Sequence, residues 1–216
     1  ADAPCEVWSW DVTWLAGPAR GLFFYLYLIL DLYSRKIVGW EVHETETAAL
    51  GADVVERAVL AEGCINQPLV LHSDNGSPMK GATMLETLRR LEIDPSFSRP
   101  RVSNDNPYSE AMFRTFKYVP GYPEEGFATL EQAREWVAGF VAWYNEVHRH
   151  SAIQYVTPIQ RHNGEDQAIL AQRKAIYEAA KAANPRRWSG KTRNWSPAGS
   201  VWLNPERPQQ ADSEAA

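Results

Sequence analysis

Residues 6–14, EVWSWDVTW, alternate without a break: Trp8, Trp10, Val12 and Trp14 fall on one side of a strand and Val7, Ser9, Asp11 and Thr13 on the other. A helix does not keep a two-residue period, so the chain opens with a strand that has one core face and one partly polar face. Asp11 is the odd residue in it. A carboxylate amid Trp, Val and Thr loses hydration on folding, a cost usually offset by a hydrogen-bonded partner or a cation. Taken alone it also reads as an edge-strand or partner-satisfied acid.

Two further strands follow, LFFYLYLIL at 22–30 and KIVGWEV at 36–42, joined by the turn-rich DLYSR, which predicts three consecutive antiparallel strands. At nine residues the apolar run is about half of what a membrane-spanning helix needs, so it reads as a buried strand and not an anchor. A helix fits 47–62, with Leu50, Val54, Val55, Ala58 and Val59 at three-to-four spacing and Gly63 as its stop. A strand at 69–73, a helix near 80–92 and the strand-like PSFSR come next. Pro107 suits the first position of a helix capped by Asn106, which places Glu110 near that helix's start. The segment Asn104 to Asn106 reads as a mobile polar loop.

TLEQ at 129–132 is a capping box opening a longer helix, whose stripe of Leu130, Ala133, Val137, Phe140, Val141, Tyr144 and Val147 runs to near His150. TPIQ at 157–160 repeats the device, a last helix covers about 165–183, and an extended tail follows Asn184. The order β-β-β-α-β-α-β, then helices, describes an α/β chain. Its 216 residues allow one main domain at 1–163 and a C-terminal helix with a basic, Trp-containing tail at 164–216.

Only 23% of the residues are charged and 44% are apolar, the balance of a globular chain whose nine tryptophans must be buried or stacked. Trp136 and Trp143 lie seven apart beside the core stripe and read as packing. His148 and His150 sit two apart, pointing in different directions on a helix, which argues against a metal pair. Cys5 and Cys64 make neither a disulfide framework nor a four-ligand zinc site without help from histidines placed far away, and read as ordinary thiols. ADAPCEVW lacks the layout of a signal peptide, and no initiator Met is present. The expectation is a cytoplasmic chain that begins mid-gene. The net charge of −5 argues weakly against nucleic acid, but the acid excess lies wholly in residues 1–98, and 171–195 hold seven Lys/Arg against one Glu178.

Asp74, in SDNG, and Glu110, in a first helical turn, each have an ordinary reading as turn chemistry and as a dipole contact. Together with Asp11 they mean more. The first and fourth strands can be neighbours, a following helix can bring the third acid beside them, and three carboxylates without a thiol suit Mg²⁺ or Mn²⁺ better than zinc. Such an ion pair serves phosphoryl transfer in nucleases and polymerases.

The set WDVTW, HSDNGS and NPYSEAMFRTFK, with 35 residues between Asp74 and Glu110, resembles the catalytic core of DDE transposases and retroviral integrases. It is most similar to bacterial insertion-sequence transposases whose catalytic part comes from a second reading frame. The resemblance runs from about residue 6 through WYNEVHRHSAIQYVTPIQRH at 143–162, and loosely to RRWSGKTRNW. It implies a ribonuclease-H-like fold, a five-stranded mixed sheet with helices on both sides, and implies that Asp11, Asp74 and Glu110 hold two Mg²⁺ (or Mn²⁺) ions. It further implies cleavage of DNA at an element end followed by strand transfer into target DNA, self-association, and an upstream helix-turn-helix region or protein.

Lys117 lies two turns after Glu110 on the face that also carries Arg114, and matches a basic residue that touches DNA in similar proteins; a solvated helix face is the plain alternative. His72 and Asn75 flank Asp74 as candidate phosphate contacts or as structural hydrogen-bonders. A hydrolysis-only nuclease of the same fold and a non-catalytic DNA-binding or multimerising fragment are the rival readings.

Overall fold

β1 (Val7–Ala16) pairs antiparallel with β2 (Phe23–Asp31), and β2 with β3 (Ile37–His43), forming the meander that the sequence predicts. β4 (Leu69–Ser73) then joins the other side of β1 in parallel, and β5 (Ile93–Phe97) joins β4 in parallel, so the sheet order is β3-β2-β1-β4-β5. The structure, a computed structural model, describes residues 1–76, 78–99 and 106–203. Of the expected loop before the third helix, Asn104 and Asp105 lie outside the described residues, as does the tail beyond Leu203.

Helices cover both faces of this five-stranded mixed sheet. α1 (Ala48–Glu62) and α2 (Ala82–Arg90) pack on Trp8, Trp10, Tyr27 and Ile29. α3 (Pro107–Tyr118) and α4 (Leu130–Glu146) pack on Leu15, Leu26, Leu28 and Leu30. The alternation of β1 thus sends Trp8 and Trp10 into one core and the odd-numbered positions toward the other. α1 lies so close to the sheet that a Cβ on Gly51 would sit 2.7 Å from the Trp10 ring. Trp14, on the Trp8 side by period, escapes the core: it is 59% exposed at the strand end and tilts against Phe23, ring centroids 5.5 Å apart.

The capping signals are honoured with two exceptions. Thr47 and Gly63 bound α1 as expected, Gly63 taking a left-handed φ of 67°. Thr157 and Gln160 form the full capping box of α5 (Pro158–His162). At α4, Thr129 accepts from the Gln132 N–H, but the Gln132 side chain takes the Ala128 N–H, so the box closes one residue early, and the helix ends at Glu146, short of His150. Asn106 precedes α3 without capping it, because its side chain is engaged elsewhere. α6 (Asp166–Ala183) and the tail form a third small cluster with Ile153, Val156, Leu170 and Trp195. The tail then returns to the chain start, where Val201 N–H donates to the Ala1 carbonyl at 2.9 Å. No described helix is long and apolar enough to cross a membrane.

Candidate active site

The register of β1 and β4 settles where two of the acids go. The parallel pairs end at Ser9↔His72, and two residues further along each strand stand Asp11 and Asp74. In parallel strands equal steps from a paired position keep residues abreast, so Asp74, just past the carboxyl end of β4, comes level with Asp11 in the middle of β1, where β1 runs on beyond β4. Open α/β sheets place their ligands at that edge.

The third acid arrives on α3, whose start is fastened to β1. The Ser9 hydroxyl donates to Asn106 Oδ1 at 2.5 Å and lies 2.7 Å from the Ser109 hydroxyl, all three residues being buried. Asn106 Nδ2 reaches the Trp10 carbonyl at 3.5 Å. Glu110 follows Ser109 directly and is exposed, as are Arg114 and Lys117 on the same helix face. This Ser9–Asn106–Ser109 tether is absent from the sequence reading, which took Asn106 for a cap. Its partners are about a hundred residues apart, beyond the reach of any local pattern.

The electrostatics show that the acids sense one another. Asp11 is half-buried, and burial pushes its carboxyl up to about 7. The Val12 N–H, donating to Oδ1 at 2.8 Å, opposes that rise, while the negative charges of Asp74, Glu110 and Glu46 add to it. Glu46, in the HETET segment between β3 and α1, is itself raised by burial and by Asp74. It is a fourth acid at this edge that sequence reasoning missed. Its turn is fixed by the Tyr27 hydroxyl, which accepts from the Thr47 N–H at 2.7 Å. Among the described residues, no Lys or Arg makes a salt bridge to any of these four acids.

Asp74 Oδ1 accepts the Gly76 N–H at 2.8 Å, and a Cβ on residue 76 would stand 2.9 Å from that same oxygen, which makes glycine the residue that lets the carboxylate settle there. The oxygens of Asp11, Asp74 and Glu110 are not all within 4.8 Å of one another, an open arrangement that suits mutually repelling carboxylates on two exposed side chains. Hard oxygen donors, like charges in mutual range and no cationic side chain among them fit divalent cations of the Mg²⁺ and Mn²⁺ kind.

The flanking polar residues point elsewhere. His72 is only 3% exposed, with Nδ1 2.9 Å from the Ser96 hydroxyl, so its ring lies inside the sheet and not on a surface that nucleic acid can reach. Asn75 is exposed, and its Nδ2 donates to the Ser98 carbonyl at 2.6 Å, holding the turn after β4 to the end of β5.

Among solved structures, the fold is similar to a chain of the simian T-cell lymphotropic virus intasome in complex with PP2A regulatory subunit B56 gamma. The TM-score is 0.57 at 15% identity, covering 75% of this chain and 55% of that one. It is also similar to the HTLV-2 integrase catalytic core domain in complex with magnesium, with a TM-score of 0.53 at 16% identity, covering 74% of this chain and 97% of that one. The fold is therefore the ribonuclease-H-like one of integrase catalytic cores.

Two sequence models, both described as integrase core domain, match residues 1–103 and 91–158, and the chain belongs to that family. Its curated relatives include the transposase for insertion sequence element IS904 of Lactococcus lactis subsp. lactis (strain IL1403), 31% identical, with 73% of this chain and 61% of that protein covered. Transposase InsF for insertion sequence IS3A of Escherichia coli (strain K12) is 29% identical, with 76% and 56% covered. The chain thus spans about six-tenths of the length of these relatives.

Proposed function

We propose that this chain is the catalytic domain of a bacterial insertion-sequence transposase, a polynucleotidyl transferase that cuts DNA at element ends and joins the freed ends to target DNA. The observation that carries the reading is Asp11, in the middle of β1, level with Asp74 just past the carboxyl end of the neighbouring β4, with Glu110 delivered by the tethered start of α3. Asp11, Asp74 and Glu110 would hold two Mg²⁺ or Mn²⁺ ions, which when bound supply the Lewis acidity that activates an attacking oxygen and stabilises a leaving one.

The chain's own residues do the positioning. Gly76 N–H orients Asp74, Val12 N–H orients Asp11, and the Ser9–Asn106–Ser109 tether sets the height of Glu110 along its helix. Arg114 and Lys117, exposed on the helix face that carries Glu110, meet the phosphates of the bound strand. Asn75 serves the same strand only through the turn that it holds. DNA ends and target DNA are the substrates, the working form is a homo-oligomer, and recognition of the element ends falls to an upstream helix-turn-helix region or protein, all in the bacterial cytoplasm at the nucleoid. The basic 171–195 stretch lies well past the acids in sequence and offers further phosphate contacts.

The test is strand transfer on an oligonucleotide carrying the element end, with Mn²⁺ or Mg²⁺. Asp74→Asn should abolish both cleavage and joining, and retained joining would sink the assignment. Wild-type cleavage that never joins a second DNA would assign the fold to hydrolysis alone.

A further inference from the structure

The two cysteines lie far from the acid edge, and the fold brings to them the distant histidine that their sequence positions lack. Cys5 Sγ, a Glu62 carboxylate oxygen and a His162 ring nitrogen all lie within 4.8 Å of one another, and among the described residues no other set of three Cys, His, Asp or Glu donors does so. The Cys64 thiol, buried just past the end of α1 and outside that set, donates to the Glu62 carbonyl at 3.7 Å and interacts with the Cys5 thiol. Three chain regions meet here: the lead into β1, the end of α1, and α5.

We propose that Cys5, Glu62, Cys64 and His162 form a Zn²⁺ site that clasps these three regions together. Two thiols, an imidazole and a carboxylate make a mixed soft donor set of the number and kind that zinc takes in structural sites.

The surroundings orient each donor. The Ser34 hydroxyl donates to Asp31 Oδ1 at 2.6 Å and lies 3.0 Å from His162 Nδ1. Its proton being committed to Asp31, the hydroxyl accepts from Nδ1–H, and Nε2–H donates to Glu62 Oε2 at 3.0 Å, a proton that a bound ion would displace. A histidine whose Nδ1–H is held through a hydroxyl by a buried carboxylate, with Nε2 facing other donors, is the outer-shell arrangement of metal-binding imidazoles. Asp31 also acts on the thiol side: its Oδ2 accepts the Cys5 N–H at 2.8 Å and holds Cys5 at a φ of +63°, a left-handed conformation that non-glycine residues seldom adopt.

Lys36 Nζ lies 2.7 Å from both Glu62 oxygens. A carboxylate offers about four lone-pair positions, so Lys36 fixes its orientation and still leaves one for an ion. A plain ion-pair network of Lys36, Glu62 and His162 would account for the charges. Core packing accounts for the burial of the thiols, but neither it nor the ion pairs call for Cys5 Sγ to stand within 4.8 Å of both Glu62 and His162 on a left-handed backbone.

Cobalt(II) tests this on the purified, reduced chain. Co²⁺ should bind at about one equivalent with a thiolate-to-cobalt charge-transfer band and the visible bands of a tetrahedral ion. Both should be lost in Cys5→Ser and in His162→Gln. They should persist in Asp74→Asn, because carboxylate-only sites give no thiolate band. Absence of the thiolate band in the wild-type chain would overturn the proposal, a result that needs no variant to fold, as would a band of unchanged intensity in both ligand variants.

Discussion

Glu62 and Asp11 both lose water on folding, and the fold gives them opposite company. Burial works against the Glu62 anion, but contacts with His162 and Lys36 outweigh it and hold the carboxyl below its usual range. Glu41 is set the same way: burial is again overcome, by the Val42 N–H and by Arg57 and Arg134. Asp166, fully enclosed, faces the guanidinium of Arg161. At the other edge Asp11 gains a single N–H and three negative neighbours. Among the described residues, salt bridges thus go to acids that hold the fold together and none is made to Asp11 in β1, to Asp74 just past β4 or to Glu110. A site that selection had shaped for stability alone would match its charges. Under the proposed function the unmatched acids are held for a cation from solution.

Breaking a matched pair should have the largest effect. Arg161 is 1% exposed. It donates to the Tyr33 carbonyl at 2.8 Å and to the Ala198 carbonyl at 3.0 Å, pairs with Asp166 at 3.4 Å, and stacks 4.0 Å over the Tyr33 ring. Arg161→Met leaves Asp166 buried without its cation and should cost about 3–5 kcal/mol in urea unfolding. A loss below about 1 kcal/mol would show that the matched acids do not depend on their cations.

The unmatched acid should respond in the opposite sense. The folded-state value of Asp11, about 7, lies above its unfolded value near 3.8, so the folded chain binds the proton more tightly. Its effect on stability is therefore absent below about pH 4, and destabilisation grows as pH rises through about 7. With chelator present, Asp11→Asn should stabilise the chain at pH 8 by on the order of 1–3 kcal/mol, the full shift being reduced by the solvent that reaches this half-buried side chain, and should change little near pH 4. Denaturant melts of both chains at the two pH values check this, and destabilisation by Asp11→Asn at pH 8 would break the contrast.

Much of this was readable before any coordinates, and the reasons differ by residue. The alternation of β1, the span of β4 and the start of α3 at Pro107 are local signals, set by period and by capping chemistry within a few residues. Asp11, Asp74 and Glu110 each have an ordinary local reading, and only their combination and the resemblance, with its 35 residues between Asp74 and Glu110, single them out. What positions them was not legible. Ser9 meets Asn106 across 97 residues, Arg161 meets Tyr33 across 128, and Cys5 meets His162 from opposite ends of the core. In each case a polar side chain with an ordinary local reading has its real partner elsewhere. Glu46 hid in a polar turn, and of the two readings of His72 its place in the buried run of β4 favours the structural hydrogen-bonder.

The central claim is that Asp11 in β1, Asp74 just past β4 and Glu110 on α3 are held for a cation, and an Mn²⁺ titration followed by electron paramagnetic resonance tests it most directly. The wild-type chain should remove free Mn²⁺ saturably. Asp74→Asn should lose at least about ten-fold in affinity, roughly 1.4 kcal/mol, and Cys5→Ser should bind as the wild type does. Equal Mn²⁺ affinity in the wild type and Asp74→Asn, or no saturable binding by the folded wild-type chain, would contradict it.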